Sequence, residues 1–125
     1  MILDTNALSA FVDGNVDVGE ILRHQARVAI PVIVLGELRY GITHSRHRAF
    51  YDAWLDSYVH QFDVLDITED TAISYAVVRT TLRRLGRPIP ANDAWIAALA
   101  LQHRLPVLSR DGHFDSLPGL TRTAW

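Results

Sequence analysis

The sequence predicts an α/β protein with a central parallel β-sheet flanked by helices on both faces. Short apolar runs alternate with helical patterns from one end of the chain to the other, an order typical of parallel sheets. The 125 residues, 49% hydrophobic and 21% charged, suit one compact domain over residues 1–125. No internal repeat or low-complexity segment interrupts the pattern.

Four apolar runs predict the buried strands, at residues 1–3, 28–30, 64–67 and 106–108, and residues 120–124 predict an edge strand. Near-continuous apolar runs of this kind are typical of parallel strands covered on both faces. The segments between them carry apolar residues at helical spacing. They predict helices at residues 7–11, about 18–27, 31–42, 46–60, 68–85 and 94–102. The last of these is apolar nearly all round, so we expect it to be buried.

The composition excludes several classes of protein. There is no cysteine, so neither disulfides nor thiolate metal sites are available. No apolar stretch approaches membrane-spanning length, and no basic segment followed by a long apolar run predicts a signal peptide. We therefore expect a cytoplasmic protein without membrane contact. The net charge of −2 argues against nucleic-acid binding by bulk charge, although every basic residue is an arginine, which matches phosphate geometry.

Four acidic residues follow the predicted strands. Asp4 follows the first strand, Glu37 lies in the helix after the second, Asp93 opens the buried helix, and Asp111 follows the late strand. Each alone has a simple structural interpretation as a helix cap, a solvated side chain or a turn residue. In a parallel sheet, however, all four face the same edge. Gathered carboxylates raise one another's pKa unless a cation neutralises them. Oxygen-only ligation favours Mg²⁺ or Mn²⁺, which supports metal-assisted attack of water on a phosphodiester.

Four stretches carry a resemblance to a known family. They are residues 2–6, 31–41, 90–93 with 96–98, and 109–114. In this order and spacing the chain resembles the PIN-domain family, and within it the VapC-type toxins of bacterial toxin–antitoxin pairs. The resemblance implies a single PIN-like domain and a metal-dependent endoribonuclease that acts as the toxin of a type II pair. It also implies inhibition by a cognate VapB-type antitoxin, RNA as substrate, and a homodimer.

The family's functional residues carry over onto matching positions of this sequence. The catalytic acids become Asp4, Glu37, Asp93 and Asp111, of which Asp4, Asp93 and Asp111 are expected to hold Mg²⁺ or Mn²⁺. Asn6 and Ser109 occupy supporting polar positions; many relatives have Thr where Ser109 stands. Apart from the resemblance, the candidate RNA contacts are Arg39, Arg87 and Arg110, because arginine matches phosphate geometry.

Other enzyme classes fit the sequence less well. A haloacid-dehalogenase-type phosphatase needs a second aspartate where Asn6 stands, and a response-regulator receiver needs a lysine, which this chain lacks. A catalytically inactive PIN-like module that binds RNA or protein stays open as the alternative. We expect Asp115 and His113 to lie outside the chemistry, Asp115 as a solvated first-turn residue and His113 as a structural one.

Association is also predicted from the sequence. The helix after the second strand carries more apolar side chains than one core-facing stripe needs, namely Ile33, Leu38, Tyr40 and Ile42. We expect apolar helix surfaces of this kind to form a homodimer and to bind the antitoxin. An antitoxin segment should lie in a groove between the early helices and reach the acidic pocket with a basic residue.

Overall fold

The computed structural model describes all 125 residues and contains a five-stranded, all-parallel sheet. The strand order is β3-β2-β1-β4-β5. Ile2 of β1 pairs with Ala29 on one side and with Val107 on the other. The strands are β1 (Ile2–Leu3), β2 (Ala29–Pro31), β3 (Asp63–Leu65), β4 (Val107–Leu108) and β5 (Arg122–Thr123). Every residue of β1, β2 and β4 is buried, as expected for strands covered on both faces. The predicted fold class is confirmed.

Six helices cover the sheet. They are α1 (Thr5–Val12), α2 (Val16–Arg23), α3 (Val32–Ile42), α4 (Arg48–Tyr58), α5 (Glu69–Arg84) and α6 (Ala91–His103). Helix α6 packs mainly along α5, and six of its residues are buried, as its apolar sequence predicts. Thr68 and Thr71 form a reciprocal cap at the start of α5. The hydrogen-bonding side chains at this end explain why the helix begins directly after Thr68.

Helix α6 begins earlier than its sequence pattern suggests. Pro90 is its N-cap residue, with φ −55°, so Asn92 and Asp93 lie inside the first turn rather than before it. Proline is tolerated at a helix start because its missing N–H would have no partner within the helix. The carboxylate of Asp93 is therefore carried by a regular helical turn.

The strand order reverses beside β1. The chain runs from β1 to β2 and β3 on one side, then returns to place β4 and β5 on the other. In open parallel sheets, such a reversal leaves a crevice outside the carboxyl ends of the two central strands. Asp4 directly follows β1 and Ser109 directly follows β4, so both lie at this crevice.

The exposed apolar surface differs from the predicted one. Leu38 and Ile42 are each only 6% exposed and belong to the core, so their expected role in association is wrong. They lie four residues apart on one helix face, and that face packs inward. Tyr40 is 82% exposed, as an association surface requires, and α5 exposes Ile73 and Val77. No helix of the chain combines the length and the apolar character needed to cross a bilayer.

Candidate active site

Asp4 is the most constrained acid of the site. It caps α1, and its Oδ1 accepts a hydrogen bond from the Thr5 backbone N–H at 2.7 Å. Its Oδ2 accepts from the Ser109 hydroxyl at 2.6 Å and from the Asn6 amide at 3.1 Å. The residue is only 4% exposed. The side chain of Asp4 therefore fits both sequence interpretations, because it caps α1 and also lies at the crevice.

Glu37 faces Asp4 from the middle of α3. Its Oε1 accepts a hydrogen bond from the Thr5 hydroxyl at 3.1 Å, so Thr5 links the second acid to the helix that carries the first. The side chain of Asn92, in the first turn of α6, opposes the rise in the pKa of Glu37. A solvated helix glutamate would not have the Thr5 hydroxyl as a partner. The structure thus places Glu37 in the wall of the crevice.

Asp111 is positioned by the loop after β4. Its backbone N–H donates to the Ser109 hydroxyl at 2.9 Å, and its Oδ1 accepts from the His113 backbone N–H at 2.9 Å. The second contact starts a short 3₁₀ helix at Gly112–Ser116, which is anchored by the fully buried ring of Phe114. Asn6 adds a further contact, since its Oδ1 accepts from the Arg110 backbone N–H at 3.2 Å. Ser109 and Asn6 therefore join the two central strand ends, as the supporting positions predict.

Asp93 and Asp111 meet at the ring of His113. The His113 Nδ1 lies 2.9 Å from Asp93 Oδ2 and 3.0 Å from Asp111 Oδ2. Ligand atoms of the three residues all lie within 4.8 Å of one another. The hydrogen bond to Asp93 is the main cause of a raised pKa for His113. The ring of His113 therefore lies in the acidic cluster, and its expected lack of a catalytic role stays a prediction.

The four acids line one open cleft of about 600 Å³. Burial is the main cause of a raised pKa for Asp4, and the nearby charges of Asp93 and Asp111 raise it further. The hydrogen bonds from Ser109 and Thr5 oppose that rise. Burial also raises the pKa of Glu37, with Asp4 adding to it. The site therefore concentrates negative charge where water is partly excluded, which favours a bound cation.

The three arginines predicted to contact RNA are either engaged within the protein or exposed away from the acids. Arg39 donates hydrogen bonds to Asp52 at 3.3 Å and Asp56 at 3.1 Å on α4, so its guanidinium is engaged within the protein. The Arg110 guanidinium lies 4.7 Å from the centre of the Trp125 ring. Arg87 is exposed, beyond the end of α5. Neither Arg39 nor Arg87 lines the acidic cleft.

Asp115 lies outside the cluster. Its two carboxylate oxygens each accept a hydrogen bond from Arg122 at 2.8 Å. That pairing lowers the pKa of Asp115. The paired carboxylate points to β5, not into the cleft, which agrees with the sequence-based separation of Asp115 from Asp111.

Sequence reasoning did not assign Thr5 and Asn92 to the site, and it expected His113 to lie outside the chemistry. Thr5 hydrogen-bonds to Glu37, Asn92 opposes the rise in the pKa of Glu37, and His113 contacts both Asp93 and Asp111. A signal existed for the first two, because each directly adjoins a predicted acid at a helix start. His113 carried no comparable signal. Its ring reaches the cluster only because the 3₁₀ turn folds it back over Asp111.

Comparisons with known proteins agree with this geometry. The PIN domain profile matches residues 1–120. Ribonuclease VapC5 of Mycobacterium tuberculosis is 36% identical over 94% of this chain and 87% of its own. The tRNA(fMet)-specific endonuclease VapC of Shigella flexneri is 29% identical over 82% and 78%.

A similar solved structure is the VapBC2 complex of Rickettsia felis bound to a DNA fragment from its promoter. It superposes with a TM-score of 0.89 at 26% identity, covering 99% of this chain and 97% of the other. The fold, the profile match and the two VapC relatives all lead to one family. The chain belongs to the PIN-domain family.

Proposed function

We propose that the protein is an Mg²⁺- or Mn²⁺-dependent endoribonuclease and the toxin of a type II toxin–antitoxin pair. The observation that carries the proposal is the convergence of four acids from separate elements in one cleft. Asp4 is buried there and held by three hydrogen-bond donors. Maintaining such a cluster costs stability without a cation, so a purely structural role does not account for it.

The donor set fits a hard divalent cation. Carboxylate oxygens are what Mg²⁺ and Mn²⁺ prefer, and the cleft is open enough to leave room for water as well. Asp4, Asp93 and Asp111 would hold the ion, with Glu37 completing the acidic wall. A bound ion would lower the pKa of water and offset negative charge on the phosphodiester.

The chain's own residues orient the reacting groups. Ser109 and Asn6 fix the Asp4 carboxylate, and Thr5 fixes Glu37 at the facing wall. Burial and the charge of Asp4 raise the pKa of Glu37, which makes it a better proton acceptor than an exposed glutamate. In this proposal Glu37 takes the proton from the attacking water.

RNA is supported as the substrate by the relatives, which are named as ribonucleases, and one of them as specific for tRNA(fMet). The test is incubation of the purified protein with separate transfer, ribosomal and messenger RNA fractions in Mg²⁺ or Mn²⁺. We expect cleavage that stops with EDTA and with Asp4→Asn or Asp93→Asn. If no fraction is cut, the protein is the inactive binding module; if the variants cut at the wild-type rate, the site assignment is wrong.

A VapB-type antitoxin is proposed as the protein partner, since the similar structure from Rickettsia felis is a VapBC complex. An aromatic groove of about 240 Å³ lies between α1 and α4, and it suits the apolar face of a partner segment. Its rings are Phe11, Trp54, Tyr58 and Phe62. Purification with the product of the adjacent reading frame should give a complex that cuts no RNA. Loss of the complex in Trp54→Ala, with the fold retained, would support this groove.

A homodimer through α5 is proposed because Ile73 is 66% exposed and Val77 is 56% exposed on one helix face. These side chains lie one turn apart and form a small apolar stripe. Sedimentation should show a dimer that Ile73→Asp converts to a monomer. A wild-type chain that stays monomeric at high concentration would refute the dimer.

A further inference from the structure

Four arginines at the end of α5 make no contact with any carboxylate. Arg79, Arg83 and Arg84 lie on the helix, and Arg87 follows Gly86. The stretch 71–92 contains no acidic residue. None of the four makes an ion pair, whereas five of the other eight arginines do. We refer to these four residues as the arginine patch.

The helix dipole accounts for only part of the patch. Arg83 and Arg84 lie in the last turn of α5, where positive charge is favourable. Arg79 lies a full turn earlier, and Arg87 lies beyond the helix. Moreover, Arg79 and Arg83 are four residues apart, a spacing at which like charges repel by a few tenths of a kcal/mol. An anion from outside the chain would remove that repulsion.

The patch borders an open cavity of about 530 Å³. Two of its arginines form one wall, and the proline-rich connector to α6 forms the other. The lining residues are Arg79, Thr80, Leu82, Arg83, Pro88 and Ile89. At about 100° of rotation per residue, Arg79 and Arg83 point well away from the stripe of Ile73 and Val77. A second copy on that stripe would leave the cavity open.

The cavity lies close to the catalytic acids. Ile89 in its wall is four residues before Asp93, so the two backbones are at most about 14 Å apart. A stack of side chains connects the same regions. The Arg79 guanidinium lies 5.8 Å from the Tyr75 ring centre, and the Tyr75 ring stacks on Trp95 at 3.8 Å. Trp95 lies two residues after Asp93, and the stack orients Arg79 before any ligand arrives.

We propose that the arginine patch binds phosphates of the RNA strand a few nucleotides from the position of cleavage. The proposal rests on the proposed ribonuclease function. Guanidinium groups match phosphate oxygens in geometry, and Arg79 and Arg83 are separated by about 6 Å along the helix axis. The chain carries a net charge of −2, so without these four positive charges the rest carries −6. Attraction for RNA therefore has to come from a local site such as this one.

The test compares two double variants with the same net charge. The patch variant, Arg79→Gln combined with Arg83→Gln, removes the two arginines that line the cavity. Arg23→Gln with Arg104→Asn removes two exposed arginines elsewhere, and asparagine tolerates the φ of 55° at position 104. Both are made in an Asp4→Asn background to prevent cleavage. Binding of a labelled single-stranded oligoribonucleotide of mixed sequence is followed by fluorescence anisotropy over a range of salt concentrations.

We expect the patch variant to bind about tenfold more weakly, which corresponds to about 0.7 kcal/mol for each of two exposed ion pairs. The slope of log affinity against log salt should fall by about 1.4, twice the 0.7 for one single-strand phosphate. The control pair should keep the wild-type slope. Equal slopes for both double variants would overturn the proposal. Loss of antitoxin binding without loss of RNA binding would also overturn it, in favour of a protein partner.

A cleavage assay separates this proposal from the proposed function. With Asp4 restored, the patch variant should show a raised KM for a long RNA and an unchanged kcat. An RNA too short to reach the cavity should be cut equally by variant and wild type. If the wild type cuts no RNA yet the anisotropy results are as expected, the ribonuclease function fails while the phosphate site stands. If the wild type cuts RNA and the KM does not change, the phosphate site fails alone.

Discussion

Replacing Ser109 with alanine tests how the site holds its most buried acid. The Ser109 hydroxyl donates to Asp4 and accepts from the Asp111 backbone N–H and the Asn6 amide. Ser109 is fully buried, so water cannot readily replace the bond to Asp4. A hydrogen bond to a charged group contributes about 1.5–3 kcal/mol. We therefore expect Ser109→Ala to lower the free energy of unfolding by about 2 kcal/mol, or roughly 8 °C in Tm for a chain of this size.

The same substitution should change the pH dependence of metal binding. The Ser109 hydrogen bond lowers the pKa of Asp4, opposing the larger rise caused by burial. Without it the pKa of Asp4 rises further, and protons compete with the cation at higher pH. The affinity for Mn²⁺ should fall by about 10–100-fold, as for other residues that support metal ligands. As pH is lowered, the loss of affinity should begin at a higher pH than in the wild type.

The measurements are thermal unfolding in EDTA and calorimetric titration with Mn²⁺ at several pH values. Ser9→Ala is the matched control, because Ser9 lines the same cleft and makes no side-chain hydrogen bond. It should change the free energy of unfolding by less than about 0.5 kcal/mol. If Ser109→Ala has the same Tm as Ser9→Ala and keeps the wild-type pH dependence of Mn²⁺ binding, Ser109 does not stabilise the ionised Asp4.

Three further outcomes are expected. Mn²⁺ at about 100 times its Kd should stabilise the wild type by about 2.7 kcal/mol and so raise its Tm. Asp93→Asn should remove most of that rise in Tm, and an equal rise in wild type and variant would contradict the metal site. Single-turnover cleavage should fall strongly in Asp111→Ala and little in Asp115→Ala, because Asp115 is paired with Arg122 outside the cleft; the reverse order would refute the assignment. Phe114→Ala should cost about 3–5 kcal/mol in urea unfolding, since the ring is fully buried, and a cost below about 1 kcal/mol would show that the loop needs no anchor.

The sequence by itself determined the order of elements and the four acids. Apolar runs such as residues 106–108 can be recognised as strands from the sequence alone, because strands buried on both faces are apolar along their whole length. The acids followed from the same logic, since Asp4 comes directly after such a run and Asp111 comes three residues after one. Asp93 was identified together with the buried helix, although that helix was predicted to start at Ala94 and starts at Ala91. Local signals of this kind depend only on residues close together in the chain.

Contacts between distant parts of the chain were decided only by the tertiary structure. Leu38 and Tyr40 lie two residues apart and so about 200° apart around α3. Both faces of α3 carry apolar side chains, and the packing of the helix decided that Leu38 faces the core while Tyr40 is exposed. His113 joined the acidic cluster, whereas Arg39 was drawn to α4 and away from it. Each outcome depends on which side chains meet across the fold. That information is absent from local periodicity, since it arises only when the sheet and its helices pack together.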